Sequence, residues 1–192
     1  FESAEVGNLE LTWLVPLSLI GTICGWLYFV SEHASEALAH AIGERPVVKA
    51  MLAGLALAIC GTVLPYTMFA GETQADVLME TYLTIPAGVL IATGLVKAML
   101  TPALINLGWR GGHFFPVIFS GVSLGYGLAI LTGADPVFCV AVCTASTMGA
   151  VMRQPVMVVG LLLMCFPLKG IVCMIIAAVI AAGIPLPKSL RK

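Results

Sequence analysis

A break between two long apolar segments constrains this chain more than any other feature. The sequence Gly-Trp-Arg-Gly-Gly-His-Phe-Phe-Pro fills positions 108–116, between the apolar runs 85–107 and 115–132. Two adjacent glycines and a proline are expected to end one helix and begin the next. A helix broken within lipid leaves backbone N–H groups without intrahelical acceptors, and the positive end of the helix dipole points to the same place. The break therefore predicts an anion site where two half-spans meet head-on.

The composition places nearly all of the chain in lipid. Of its 192 residues 60% are hydrophobic and 10% are charged, and the mean hydropathy is +1.06, whereas soluble domains carry about 25% charged residues. The net charge of −1 suggests no nucleic-acid partner. The chain begins at Phe1 without a basic and apolar leader, so we expect a piece of something longer or a processed product, and no signal peptide.

The apolar segments and the Pro and Gly residues between them predict an all-helical membrane domain of seven or eight segments over residues 1–192. The segments are 11–30, extended by an amphipathic helix to 42, then 47–64, a loop with a short helix in 66–80, 85–107, 115–132, 137–152, 156–166 and 171–184. Several are too short to cross a bilayer, which takes about 20 residues. Short, interrupted apolar helices are typical of transporters and channels. The tail with Lys188, Arg191 and Lys192 favours a cytoplasmic C-terminal end.

The motif at the break resembles a family signature. Gly-Gly-His-Phe-Phe-Pro at 111–116 is similar to the Gly-Gly-x-Phe-x-Pro motif of the CLC chloride channels and transporters. Three further segments resemble that family in the same order: Leu64-Pro65 followed by Gly71, the segment from Gly94 to Lys97, and the small-residue helix from Met148 that ends in Arg153-Gln154-Pro155. The match extends from about Leu11 to Pro185.

The resemblance implies a CLC-type bundle of tilted and broken transmembrane helices, of which this chain is the second of two inverted halves. It implies transport of chloride or a similar small anion by a channel or by anion/proton antiport, a choice that stays open, without a cofactor. The family's anion site maps onto six consecutive residues, with the amides of the third and fourth as donors: Gly111, Gly112, His113, Phe114, Phe115 and Pro116. The family's gating glutamate and pore tyrosine have no counterpart in this sequence.

The resemblance also implies an assembly and a location. CLC proteins are dimers, and their interface corresponds here to the segments from Val156 to Phe166 and from Ile171 to Ile184. We expect an integral, multi-pass protein of a plasma membrane of the bacterial inner-membrane type. Many relatives have an aliphatic residue at the position of His113, where a histidine either tunes anion binding by titrating near neutral pH or forms a structural hydrogen bond.

Two cations close to the motif have two interpretations each. Lys97 lies in mid-span, where a charge costs at least about 2.5 kcal/mol on insertion scales. It either attracts anions along their path or pairs with a helix C-terminus or the membrane interface. Arg110 either raises the positive potential beside the motif or anchors the loop at the headgroups.

Two other classes of function stay open as alternatives. A non-transporting membrane scaffold or dimerisation subunit has no need of a broken-helix anion site. An intramembrane enzyme needs a nucleophile with a base or a metal motif, and Ser120 and Ser123 have only His113 nearby, so we expect neither catalysis nor a catalytic residue. His33, Glu36 and His40 share a helix face, but such faces are more often solvated than metal-binding, and we expect no metal site.

Overall fold

The computed structural model describes residues 7–68, 70–166, 170–187 and 190. Within these ranges the chain forms eight α-helices and two short 3₁₀ helices, with no strand. The α-helices are α1 (Asn8–Ile42), α2 (Pro46–Val63), α3 (Glu72–Thr81), α4 (Ala87–Asn106), α5 (Phe114–Thr132), α6 (Pro136–Met152), α7 (Pro155–Leu162) and α8 (Ile171–Gly183), and the 3₁₀ helices are Pro65–Thr67 and Tyr82–Thr84. The all-helical prediction is confirmed. The basic tail residues Lys188, Arg191 and Lys192 lie outside the described residues.

The helix boundaries follow the Pro and Gly residues. Gly43, with a φ of 68°, ends α1, and Pro46 opens α2. The polar segment after α2 forms a 3₁₀ helix and then α3, as the predicted loop with a short helix requires. Helix α7 is shorter than its predicted segment, because the chain leaves the helix after Leu162.

Helix α6 lies at the centre of the bundle. It runs antiparallel to α5 and parallel to α1, and small residues bring the backbones together, as is usual for helices in lipid. A Cβ added at Gly125 of α5 would overlap the backbone of Val140 of α6. On the other side Thr147 Oγ1 donates to the carbonyl of Gly21 in α1 at 3.2 Å.

Helices α4 and α5 pack side by side as an antiparallel pair. Ser123 Oγ of α5 donates to the Leu90 carbonyl of α4 at 2.8 Å, and a Cβ at Gly94 would lie 2.7 Å from the Ser120 carbonyl. The expectation that two half-spans meet head-on is therefore wrong. The break is a reversal of the chain, so the start of α5 lies beside the last turns of α4.

Gly108 ends α4, and the double glycine does not. Gly108 has a φ of 98°, and its N–H donates to the Ile105 carbonyl while the N–H of Trp109 donates to that of Leu104, each at 3.0 Å. These two bonds form a Schellman motif, in which a left-handed glycine satisfies the last carbonyls of a helix. The next residues, 110–112, take no part in ending α4.

Among the described residues, four helices are long and apolar enough to cross a membrane: α1, α2, α4 and α5. Helix α2 is exposed along almost its whole length, with Met51 70% and Val63 72% exposed. Such apolar surface requires lipid or further protein around it.

The N-terminus of α6 allows a direct test of capping. Asp135 precedes Pro136, and its Oδ1 accepts a 2.7 Å hydrogen bond from the N–H of Phe138. We expect Asp135→Ala to lower the free energy of unfolding by about 1 kcal/mol, since an orphan donor loses its acceptor. Thermal unfolding of the purified protein in detergent measures this, with Asp135→Asn as the control that keeps an acceptor. An Asp135→Ala protein as stable as the wild type would contradict the assigned cap.

Candidate functional site

The start of α5 presents a row of backbone donors. The first residue of α5 whose N–H is bonded is Val117, which donates to the His113 carbonyl at 3.1 Å. Within the motif, five N–H groups donate to no acceptor among the described residues, those of Gly111, Gly112, His113, Phe114 and Phe115. Pro116 has no N–H to donate. Because these donors lie at the positive end of a 19-residue helix, the region favours negative charge.

A cleft of about 380 Å³ opens beside this row of donors. Gly111, Gly112 and Pro116 line it on one side, and α4 and the segment after α2 line the other. Both cations of interest, Lys97 and Arg110, also line it, and no Asp or Glu is among its described lining residues. The described lining of the cleft therefore carries only positive side-chain charge.

Lys97 is tied to the segment after α2. The side chain is 4% exposed, and its Nζ donates to the Thr67 carbonyl at 2.6 Å and to the Met68 carbonyl at 3.4 Å. The same Nζ lies 5.9 Å from the ring centroid of Phe119. Lys97 thus joins two elements of the cleft wall and places its charge beside the cleft, so the two sequence interpretations are compatible.

His113 and Phe114 line neither of the two described clefts that flank the motif. Their rings stack with centroids 4.6 Å apart and planes inclined by 24°. Phe115 turns to the other side, where it lines a second cleft of about 310 Å³ together with Glu72 and Asp76 of α3. The motif therefore separates a cationic cleft from one that contains two carboxylates.

Gly71 holds in place the segment that separates these two clefts. It precedes α3 with a φ of 107°, a conformation that favours glycine, and a Cβ there would collide with Phe119. Phe119 in turn is 1% exposed and lies beneath Lys97. Close packing of Gly71 on Phe119 thus determines where the segment that receives Lys97 can run.

The two motif glycines differ from Gly71 because the described chain gives no steric reason for them. Neither has a positive φ, and a Cβ built at Gly111 or Gly112 meets no atom within 4 Å. Glycine is also used where a backbone must approach a ligand closely. These two positions are open and lie next to unpartnered donors, as such an approach requires.

Other candidate residues are not brought together. His33 Nδ1 lies 3.2 Å from the Phe29 carbonyl of its own helix, while Glu36 and His40 border a small polar cleft with Lys49 and Asn106. In the described parts of the chain, no group of three or more His, Cys, Asp or Glu side chains is placed to hold a metal ion.

The chain is similar to known proteins in sequence and in fold. A family model described as the voltage-gated chloride channel matches residues 2–185. This chain belongs to that family. A solved structure titled as a CLC-type fluoride/proton antiporter matches with a TM-score of 0.77 and 21% sequence identity. No curated protein matches the chain.

The match to the antiporter covers 96% of this chain and 46% of the antiporter chain. The chain thus has the CLC-type helical fold and spans about half the length of that relative. It is an integral membrane protein by its family and its apolar helices. At 21% identity the antiporter supports the fold of this CLC chain and no more.

The sequence identifies the motif of this CLC chain but not all of the backbone groups around it. It carried over two amide donors, whereas the structure leaves those of Gly111, Gly112 and Phe115 without acceptors as well. The carbonyls of Thr67 and Met68 that receive Lys97 lie about 30 residues before it. No local sequence pattern predicts the contact between Lys97 and these carbonyls. The end of α4 at Gly108 was readable, since a glycine just past a helix is the usual stop.

Proposed function

We propose that this chain forms one half of a membrane protein that carries chloride or a similar small anion, by a channel or by anion/proton antiport. The site consists of residues 111–116, and Lys97 and Arg110 supply positive potential along the approach. The domain covers residues 1–192 as one unit. Membership of a family of transport proteins favours this reading over an enzyme.

One observation carries the proposal. Five consecutive backbone donors at the start of α5 have no acceptor among the described residues, and two of them belong to glycines with no local steric role. Unsatisfied backbone donors are costly in a low-dielectric surrounding. An anion that accepts from these donors removes that cost and gains from the helix dipole.

The mechanism follows from weak and distributed binding. The amides and the dipole replace part of the solvation that the anion loses on entry, without a full positive charge that would trap it. Lys97 and Arg110 raise the anion concentration in the cleft, because charges of one sign in a low-dielectric cleft focus the field. The ion then passes from the cleft to the row of amides.

The assembly and location extend the proposal. Apolar side chains on α7 and α8 are exposed, Val156 by 87%, Val172 by 63% and Val179 by 51%. We expect the segments from Val156 to Phe166 and from Ile171 to Ile184 to form a homodimer interface within a plasma membrane of the bacterial inner-membrane type. Crosslinking of single cysteines at Val156 and Val172 in membranes tests the interface.

The direct test is anion flux through the complete protein. We expect vesicles that contain the purified protein to release chloride or fluoride when a potential is clamped, and a proton flux coupled to that release would indicate antiport. Correctly folded protein that moves neither anion would favour the scaffold alternative.

Gly112→Ala separates the site from the fold. A Cβ at Gly112 has open space, so we expect the free energy of unfolding to change by less than about 1 kcal/mol. A methyl group beside the donors should nevertheless impair the approach of the anion and lower the flux about tenfold or more, the effect of losing one hydrogen bond to a charged group. Gly54→Ala is the matched control, since a Cβ there also meets nothing within 4 Å but lies on α2. Equal anion flux through the Gly112→Ala and Gly54→Ala proteins would show that the motif is not part of the anion site.

A further inference from the structure

The cationic cleft beside the motif is larger and more apolar than a small inorganic anion requires. Its volume is about 380 Å³, within the range of sites that bind drug-sized organic molecules. Apolar side chains form most of its described lining, among them Leu57, Met68, Leu100, Leu104, Ile105 and Trp109. An inorganic anion gains nothing from such a lining, whereas an alkyl chain gains free energy in proportion to the apolar area that it buries.

Helix α4 supplies one long wall of this cleft. Five of its residues line the cleft at helical spacing: Lys97, Leu100, Thr101, Leu104 and Ile105. They extend over about 12 Å, since an α-helix rises about 1.5 Å per residue. Thr101 Oγ1 donates to the Lys97 carbonyl of its own helix at 2.8 Å, so its hydroxyl proton is already used. Beyond Lys97, this wall therefore offers apolar contact to a ligand.

The two cations of the cleft are not equivalent. The Lys97 ammonium already donates to backbone carbonyls of the segment after α2. Arg110 is exposed, and beside it in the lining lie Gly111 and Gly112, whose N–H groups donate to no described acceptor. A carboxylate accepts two parallel bonds from a guanidinium and can also accept from amides. The Arg110 end therefore suits the head of an organic anion.

This end of the cleft lies at the polar level of the bundle. Asn106, the last residue of α4, donates through Nδ2 to the Glu32 carbonyl and to Ser35 Oγ in the amphipathic part of α1. Trp109 is 45% exposed there, and tryptophan is enriched at membrane–water interfaces. Leu57 brings the exposed helix α2 to the edge of the cleft. An amphiphile dissolved in the membrane can therefore reach the cleft with its head at the interface.

We propose that the cationic cleft binds a long-chain carboxylate, the ionised form of a fatty acid. Its head lies at Arg110 and the amides of Gly111 and Gly112, and its alkyl chain lies along α4. The volume, near the lower end of the range for drug-sized ligands, favours one alkyl chain over the two of a phospholipid. Binding needs no transport. Only its consequence rests on the proposed function, because a carboxylate on these amides blocks the approach of the transported anion and lowers the flux.

Photoaffinity labelling with a diazirine derivative of palmitate tests the binding on the complete purified protein in neutral phosphatidylcholine nanodiscs. We expect the label on residues 100–109 and its displacement by unlabelled palmitate, but not by the uncharged methyl palmitate. Arg110→Gln should weaken palmitate binding about tenfold or more, the effect of losing hydrogen bonds between charged groups. Arg45→Gln, at the exposed N-cap of α2, is the matched control and should bind palmitate as the wild type does.

A second variant tests the position of the alkyl chain. Leu104→Trp places an indole in the space assigned to the chain, so we expect labelling of residues 100–109 to be lost. Leu55→Trp, at a position of α2 that is 58% exposed, is the control. Thermal unfolding of both proteins shows whether they are folded. A folded Leu104→Trp protein that is labelled like the wild type would overturn the placement of the chain along α4.

Chloride flux through vesicles of the complete protein separates this inference from the proposed function. We expect palmitate to lower the flux of the wild type and to have much less effect on that of Arg110→Gln. If palmitate labels the cleft but no anion moves in its absence, the proposed function fails and the carboxylate site stands. If anions move but the label lies elsewhere, or methyl palmitate displaces it equally well, the inference is overturned. A diacyl phosphatidylglycerol that displaces the label better than palmitate would overturn the single-chain assignment, and binding without inhibition would overturn the predicted block.

Discussion

Gly125→Leu should prevent the chain from folding. In α5 this glycine lies against the backbone of α6, where an added Cβ would overlap Val140 and come within 2.9 Å of the Cys139 carbonyl. The collision is with backbone atoms, so a side-chain rotation cannot relieve it. Overpacking in a well-packed core costs about 1–3 kcal/mol and occasionally more, and separation of the two central helices should reach at least the upper end of that range.

Size-exclusion chromatography and thermal unfolding in detergent measure this effect. The matched control is Gly54→Leu on the exposed helix α2, where a Cβ meets nothing within 4 Å. We expect the control to give a monodisperse protein and Gly125→Leu to give aggregate. A monodisperse Gly125→Leu protein with the wild-type melting temperature would show that α5 and α6 do not pack as described.

Lys97→Met should have the second-largest effect. Methionine keeps the approximate length of the side chain but removes the donors to the Thr67 and Met68 carbonyls. A buried acceptor that loses its partner costs about 1–3 kcal/mol, so we expect the loss in unfolding free energy to be about 3 kcal/mol. Anion flux should fall as well, because the cleft loses one of its two cations.

Lys49→Met, at a half-buried position of α2 remote from the motif, is the control for removal of a lysine charge from the chain. The two measurements on Lys97→Met distinguish the two roles of the lysine. A protein with normal stability and reduced flux would leave only the electrostatic role. A Lys97→Met protein with reduced stability and normal flux would show that the lysine only joins α4 to the segment after α2.

The sequence predicts most of the helices because the signals that start and stop them are local. Pro46 and Pro136 open helices, and Gly43 and Gly133 follow helix ends. The small residues of α6 also indicate close packing of backbones. Which glycine meets which neighbour, as Gly125 meets Val140, depends on the arrangement of whole helices and is not encoded in any short segment.

The candidate site is likewise predictable from the sequence only in part. The motif 111–116 is recognisable from its residue types, and so is its place at the start of a helix. The reversal between α4 and α5 was missed, because a glycine-rich break reads the same whether the next helix continues onward or folds back. The position of Lys97 against the Thr67 carbonyl was also beyond reach, since it depends on packing around Gly71 and Phe119.

The five motif amides that have no acceptor among the described residues have a consequence for hydration. In hydrocarbon each bare N–H would cost several kcal/mol, so we expect water molecules to occupy the row whenever nothing else accepts from it. An anion bound as proposed would displace that water on arrival and be replaced by it on leaving. On this proposal, the wetting of the start of α5 governs how readily the site empties.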